Sequence, residues 1–218
     1  MIEIPPEGLI LNVYKPAGMT SFDVVRQVRR RLKVKKVGHG GTLDPIAEGV
    51  LLIMAGKATK RANELSSLDK TYAAGILLGR KTDTYDTTGV VLAESDTDNI
   101  EYEDIERELQ NFIGEIEQVP PMFSAIKIDG KRLYKLARRG IQVERKPRKI
   151  IIYDIRLKSW MNPSMLIVVH CSKGTYIRSL AEDIGDRLGC GGCMESLVRT
   201  RIGDYRVEDS IRLEDMAG

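Results

Sequence analysis

Gly38-His39-Gly40-Gly41-Thr42-Leu43-Asp44-Pro45 runs directly into Ile46-Ala47-Glu48-Gly49-Val50-Leu51-Leu52. The stretch sets one carboxylate in a glycine-rich turn and then enters an apolar run. Three glycines allow positive φ and close backbone approach to a ligand, and Pro45 biases Asp44 away from helical geometry. Such a loop can hold one acid in a fixed pose. A tight turn whose Asp bonds its own backbone is the commoner use of Asp beside Gly and Pro, and spacing alone leaves both readings open. The continuous apolar run Val50–Ala55 predicts a strand buried on both faces.

Working outward, Leu9–Tyr14 reads as a short strand. Thr20 or Ser21 caps a helix whose Val24, Val25, Val28 and Leu32 share one face, the other face being largely arginine. Thr71–Leu78 reads as a strand and Glu101–Phe112 as an acidic amphipathic helix. Ser124–Ile128, a turn at Asp129-Gly130 and Lys131–Arg139 read as strand, turn and basic helix, with Gly140 as stop signal. Lys149–Trp160 and Met165–Cys171 predict two strands joined near Asn162-Pro163, and Thr175–Leu188 a helix ended by Gly189. Strands outnumber what βαβ alternation would give, so the expected class is α+β (mixed α/β), built on a largely antiparallel mixed sheet with flanking helices.

Composition sets outer bounds. The 218 residues, 42% hydrophobic and 30% charged, are enough to bury a sizeable core in one large domain or in a domain with an appended lobe. No run approaches the roughly 20 apolar residues of a membrane span, and Met1–Gly8 lacks a basic start and an apolar signal core; a cytoplasmic protein is expected. Three cysteines suggest no disulfide framework. The net charge of +3 is small but unevenly placed: seven basic side chains fall between Arg26 and Lys36 and ten between Lys127 and Lys149, whereas Glu94–Glu117 carries ten acids and one base. Any one such run can be a solvated helix face. Two of them beside an active-site loop are compatible with a phosphate-backbone footprint.

The ordered blocks narrow the reading further. Val37–Asp44 with Ile46–Leu52 and Gly56-Lys57-Ala58-Thr59-Lys60 closely resembles the signature of the TruB family of tRNA pseudouridine synthases. Lys15-Pro16 with Gly18-Met19-Thr20 is similar to the family's N-terminal Lys-Pro motif. Asp69-Lys70-Thr71-Tyr72, followed by Leu78–Thr84 and Asp86-Thr87-Thr88-Gly89, resembles its tyrosine motif and the loop beyond. Pro120–Lys127 and Gly174–Leu180 complete the series. Five blocks in order from Leu11 to Arg201 are far more specific than any one of them.

The resemblance implies isomerisation of uridine 55 in the T loop of tRNA, on a base flipped out of its stack, without guide RNA. The N1–C1′ bond breaks, the base turns and C5 is joined to the sugar. No redox step and no transferred group are involved, so no cofactor and no metal are expected. By motif match Asp44 is the nucleophile, acting at C1′ or C6 or assisting departure of the uracil. Arg178 is its expected cationic partner, offsetting burial in a closed pocket. Tyr72 is the aromatic residue stacked beneath the uracil. His39, Tyr176 and Leu197 are implied to contact the extruded nucleotide or line the base pocket, and Lys15 and Pro16 to support the loop. Each has a plainer reading, as strand tyrosine, core leucine, surface arginine or loop histidine.

The resemblance also implies that about 115–144 forms an RNA-gripping insertion and that the protein acts as a monomer on the tRNA T-arm stem-loop. Many family chains continue into a PUA-type domain. Here the chain stops about fifteen residues after Gly203, so a single catalytic domain over 1–218 without that domain is expected. The Gly40-Gly41-Thr42 spelling also resembles the guide-dependent dyskerin branch, whereas Ile46–Gly49 and the arginine-motif helix look more like the stand-alone enzymes. Two readings of other classes remain. Cys190-Gly191-Gly192-Cys193 with His170-Cys171 has the spacing of a zinc-stabilised RNA-binding module, although adjacent strand residues point to opposite faces. A catalytically silent tRNA-folding chaperone on the same scaffold is disfavoured by the presence of Asp44, Tyr72 and Arg178 together.

Overall fold

The computed structural model describes residues 4–124, 126–128, 130–137 and 139–216. In chain order its elements are β1 (Leu9–Lys15), α1 (Ser21–Leu32), β2 (Val37–His39), β3 (Glu48–Ala55), α2 (Ala62–Ser67), β4 (Lys70–Leu78), β5 (Arg80–Thr82), β6 (Val91–Glu94) and α3 (Tyr102–Gln110). They continue with β7 (Gly114–Gln118), β8 (Lys127–Ile128), β9 (Lys131–Arg132), α4 (Leu133–Ala137), β10 (Arg148–Met161), β11 (Ser164–Cys171), α5 (Ile177–Arg187), β12 (Gly192–Ile202) and β13 (Tyr205–Arg206). The fold is α+β: β1–β3, β2–β3, β5–β6, β7–β10, β8–β9, β10–β11 and β12–β13 pair antiparallel, and β12 runs parallel to β3. Two compact units separate, one holding the chain up to Ala73 and from Ser196 onward, the other Ala74–Glu195. Among the described residues no helix is long and apolar enough to cross a membrane.

The first unit is organised by β3. Its apolar run places Leu51, Ile53 and Ala55 in one core, with Leu11, Val13, Val24, Val25 and Val28. Val50, Leu52 and Met54 enter a second core with Ala58, Leu65 and Ile202. Alternation along a strand buried on both faces requires this division. Helix α1 lays Val24, Val25 and Val28 on the first core, all essentially inaccessible, each worth about 1.5–3 kcal/mol on burial. Thr20 caps it in a reciprocal box with Asp23, and Lys33 ends it in the left-handed conformation.

β1 pairs along the whole of β3, Val13 opposite Leu51. The other edge of β3 is shared: β2 occupies Ile53–Ala55 and β12 runs parallel at Glu48–Gly49, with Val198 and Arg199 opposite. Residues 40–47 therefore connect β2 to β3 at the point where β12 joins. Gly49 has φ +98°, and a Cβ there would lie 2.3 Å from the Arg199 carbonyl oxygen, so both conformation and close approach require glycine.

In the second unit the strand order is β4-β11-β10-β7, with Ile155 opposite Val169 and Ile150 opposite Ile116. The acidic helix is present as α3, capped by Glu101 and Asp104 and burying Ile105 and Leu109. The basic helix is shorter than its composition suggested. Lys131–Arg132 pairs with Lys127–Ile128 as a hairpin, leaving helix only over Leu133–Ala137. Ala125, Asp129 of the anticipated turn, and Arg138 lie outside the described residues. The last α-helix starts at Ile177 rather than Thr175: Tyr176 is extended (φ −103°, ψ 109°) as its N-cap, and its N–H, one of those with no partner inside the helix, donates to Gln118 Oε1 at 2.8 Å.

Candidate active site

The glycine-rich turn is partly strand. Val37, Gly38 and His39 extend along the β3 edge, Gly40 N–H bonds Leu52 O at 2.9 Å, and of its glycines only Gly41 has positive φ, +130°. The turn proper begins there. From that point the carbonyls of Gly41 through Pro45 and of Ala47, and the N–H groups of Leu43 and Ala47, are held. Ser21 Oγ accepts from Leu43 N–H at 2.8 Å and donates to Leu43 O at 3.1 Å, tying the start of α1 to the residue before Asp44. Pro45 O accepts from Gly18 N–H at 2.8 Å, and Asp44 O from Ala47 N–H at 3.1 Å.

Two buried cations complete the clamp. Lys15, fully inaccessible, donates from Nζ to the carbonyls of Ala47 (2.5 Å), Pro16 (2.9 Å) and Pro45 (3.4 Å). Arg199, 2% exposed, donates from Nε to Val50 O at 2.8 Å, from Nη2 to Gly41 O at 3.2 Å and from Nη1 to Thr42 O at 3.3 Å. One cation grips the loop before Asp44 and the other after it. Asp44 itself is half-buried.

The charges are coupled. Burial drives the Lys15 ammonium down to about 8, against the pull of Asp44 and Glu48. Burial likewise lowers Arg199, opposed by the Tyr72 phenol, to which its guanidinium hydrogen-bonds, and by Asp44. His39 is held below its ordinary value by burial and by Arg199, and its Nδ1 is buried without a hydrogen-bond partner among the described residues. Tyr72 and Leu197 are 7% and 6% exposed. Beside them, Tyr14 donates to Glu48 Oε2 at 2.7 Å, and burial and Glu48 raise its phenol. Lys15, His39, Asp44, Tyr72, Leu197 and Arg199 all belong to the first unit. Pro16 contributes one of the three carbonyls that Lys15 holds.

Arg178 and Tyr176 belong to the second unit. Arg178 is buried rather than at the surface. It donates to Phe123 O at 2.7 Å and Thr84 O at 3.0 Å, and its Nε lies 3.8 Å from Asp86 Oδ2. Asp86 is itself locked by Thr84 and Thr88. Tyr176 is partly exposed at the start of α5, its backbone paired with the Gln118 amide in both directions.

Sequence reasoning passed over Arg199. It stands in the segment Ser196–Thr200, but an arginine among Glu195, Thr200 and Arg201 reads as a solvent-facing strand position. The available signal was a cation directly after Leu197-Val198. The zinc-type residues are not assembled: among the described residues no three of His, Cys, Asp and Glu are grouped as metal ligands. His170 stacks on Tyr153 at 4.9 Å, and the Cys190 thiol donates to Gly185 O and Gly191 O.

A carboxylate on a loop fixed at both ends, sharing the Arg199 guanidinium with the Tyr72 phenol and the His39 imidazole, suits nucleophilic attack on an oriented substrate. Comparison with known proteins bears on which substrate. Residues 29–177 match the TruB family pseudouridylate synthase N-terminal domain, and residues 178–218 match the tRNA pseudouridylate synthase B C-terminal domain. A tRNA pseudouridine synthase B of Clostridium kluyveri is 54% identical over 94% of this chain and 71% of its own length. One from Dehalococcoides mccartyi is 49% identical over 95% and 69%. Among solved structures, a chain of a crystallised Cbf5-Nop10-Gar1 complex superposes with TM-score 0.75 at 33% identity, covering 96% of this chain. A chain of an H/ACA RNP bound to a substrate RNA containing 2′-deoxyuridine gives 0.71 at 30% identity, again over 96% of this chain. The protein spans about half the length of those solved chains, 53% and 52%.

Proposed function

The chain belongs to the TruB family of pseudouridylate synthases, and from that premise we propose that it converts uridine 55 in the T loop of tRNA to pseudouridine, without guide RNA. Asp44 is the nucleophile. The observation that carries this reading is the double clamp on its loop. Lys15 and Arg199 hold the backbone on both sides of Asp44, so the carboxylate meets the sugar or base without reorganising at the moment of reaction. Attack by Asp44 accompanies cleavage of N1–C1′, the bonding pair leaving with N1; the base turns, C5 bonds to C1′ as any bond to the Asp44 carboxylate breaks, the C5 proton leaves to a base in the site, and N1 takes up a proton.

The remaining residues take roles that support this chemistry. Tyr72 presents its ring to the uracil and its phenol to the proton transfer. His39, whose Nδ1 has no partner among the described residues, meets the extruded nucleotide. Leu197 and Tyr176 line the base pocket, and Pro16 with Lys15 braces the loop. Arg178 supplies the guanidinium that the carboxylate needs in a closed complex, a role carried over from its motif. Residues 115–144 contact RNA. Turning the base out of its stack costs a few kcal/mol, recovered through stacking and edge contacts, and a structured loop offers such a base more readily than a duplex.

The experiment is positional. An unmodified tRNA transcript is incubated with the protein, derivatised with carbodiimide and copied by reverse transcriptase. A stop adjacent to position 55 and nowhere else is the expected result. Stops elsewhere, or none with folded protein, would overturn the assignment.

A further inference from the structure

The solvent face of α1 is not used by the chemistry above. Asp23, Arg26, Gln27, Arg30 and Arg31 fall at i, i+3, i+4, i+7 and i+8, one stripe of the helix. With Met19 they line a groove of about 460 Å³. The single acid is already engaged: the Thr20 hydroxyl and then Arg26 hydrogen-bond to Asp23 and together hold its carboxyl at about 2. Among the described residues no carboxylate pairs with Arg30 or Arg31. Arg31 Nη1 is buried with no hydrogen-bond partner among the described residues. Such a group is costly unless an acceptor completes it. Beyond the helix Lys33, Lys35 and Lys36 are exposed and extend the positive field.

We propose that this groove is a docking surface for the phosphodiester backbone of the substrate RNA, outside the base-binding site. The inference rests on the RNA-modifying reading above. Position supports it: Ser21, at the head of α1, is bonded to Leu43, and Arg30 lies about 13 Å along the helix axis from there. A strand entering the Asp44 loop passes within reach of the stripe. Arginine forks suit phosphate, and among the described residues no carboxylate competes for Arg30 or Arg31.

The test is binding of full-length tRNA transcript to the Arg30→Gln/Arg31→Gln double variant and to wild type across a salt series, with steady-state turnover alongside. Losing two phosphate contacts makes the slope of log K against log salt shallower by about 1.4–1.8 and weakens low-salt binding about tenfold or more. KM rises correspondingly while kcat stays unchanged. The Arg30→Lys/Arg31→Lys variant keeps the charge and restores most of the slope, which a merely structural effect would not allow. An unchanged slope in the glutamine variant, or no rescue by lysine, overturns the proposal. If wild type modifies tRNA with the same slope as the glutamine variant, only this surface fails; if wild type neither binds nor modifies tRNA, the proposed function fails with it.

Discussion

Arg199→Met removes the donor that holds the loop before Asp44 while keeping most of the side-chain volume. Three carbonyls lose their guanidinium, those of Val50, Gly41 and Thr42. The Val50 oxygen lies in the fully buried interior of β3. The other two belong to loop residues with some solvent access and can rehydrate. A buried acceptor left unsatisfied costs about 1–3 kcal/mol, and the partly rehydrated pair adds less. Against this, a buried cation is expensive and its removal returns part of that cost. The net expectation is a loss of about 2–4 kcal/mol, which lowers Tm by roughly 5–15 °C in a chain of this size. Function should suffer more than stability, since a displacement of about 1 Å at the reacting group costs on the order of 100-fold in rate. Arg199→Lys, which keeps charge but loses the fork, should fall between. Denaturant unfolding and single-turnover kinetics at a temperature where both variants are folded give the two numbers. Stability within about 0.5 kcal/mol of wild type together with an unchanged single-turnover rate would refute the clamp.

Gly49→Ala places a methyl against the Arg199 backbone and forces alanine to φ +98°; a loss of about 3 kcal/mol or more in thermal unfolding is expected, and a wild-type melt contradicts the β3–β12 approach described. Lys15 titrates at about 8 in the folded chain against 10.5 for the free side chain. Between those values the unfolded chain holds the extra proton, so stability from this group rises with pH. The stability of wild type relative to Lys15→Met should shift in favour of wild type by up to about 3 kcal/mol from neutral pH to about 10.5; a flat difference in pH-dependent unfolding counts against a buried ammonium. In the second unit Asp183 is pushed up to about 6, first by burial and then by Asp186. Its folded carboxyl binds protons more tightly than the unfolded one, so stability falls as pH rises from about 4 through 6. Asp183→Asn should therefore stabilise at pH 7 by about 1–2 kcal/mol after allowance for partial exposure, with no gain below about pH 4, read from urea midpoints at the two pH values.

Elements governed by local pattern were legible in the sequence. The valine stripe of α1, the unbroken Val50–Ala55 run and the alternating β10–β11 pair each carry their period in a few residues. What escaped was set by tertiary pairing. Val37-Gly38-His39 becomes β2 only because the β3 edge is free beside it. Gly192–Ile202 mixes Glu195, Arg199 and Arg201 into a strand whose alternation is broken, so β12 had no readable face. Lys131 and Arg132 fit the helical pattern of the segment but are taken by a hairpin instead. The site divides in the same way. Asp44 announces itself through glycine and proline neighbours, and Lys15 through Pro16. Arg199 does not, because nothing local says that a cation is buried until β12 is laid against β3.

The most direct test of Asp44 as nucleophile uses a T-arm stem-loop transcript carrying tritium at C5 of uridine. That hydrogen leaves only when C5 becomes the glycosidic carbon. Wild type should release it, and Asp44→Asn, folded to the same stability, should release none above background. Release by the asparagine variant at the wild-type rate, or none by wild type from either the stem-loop or full-length tRNA, would contradict the account.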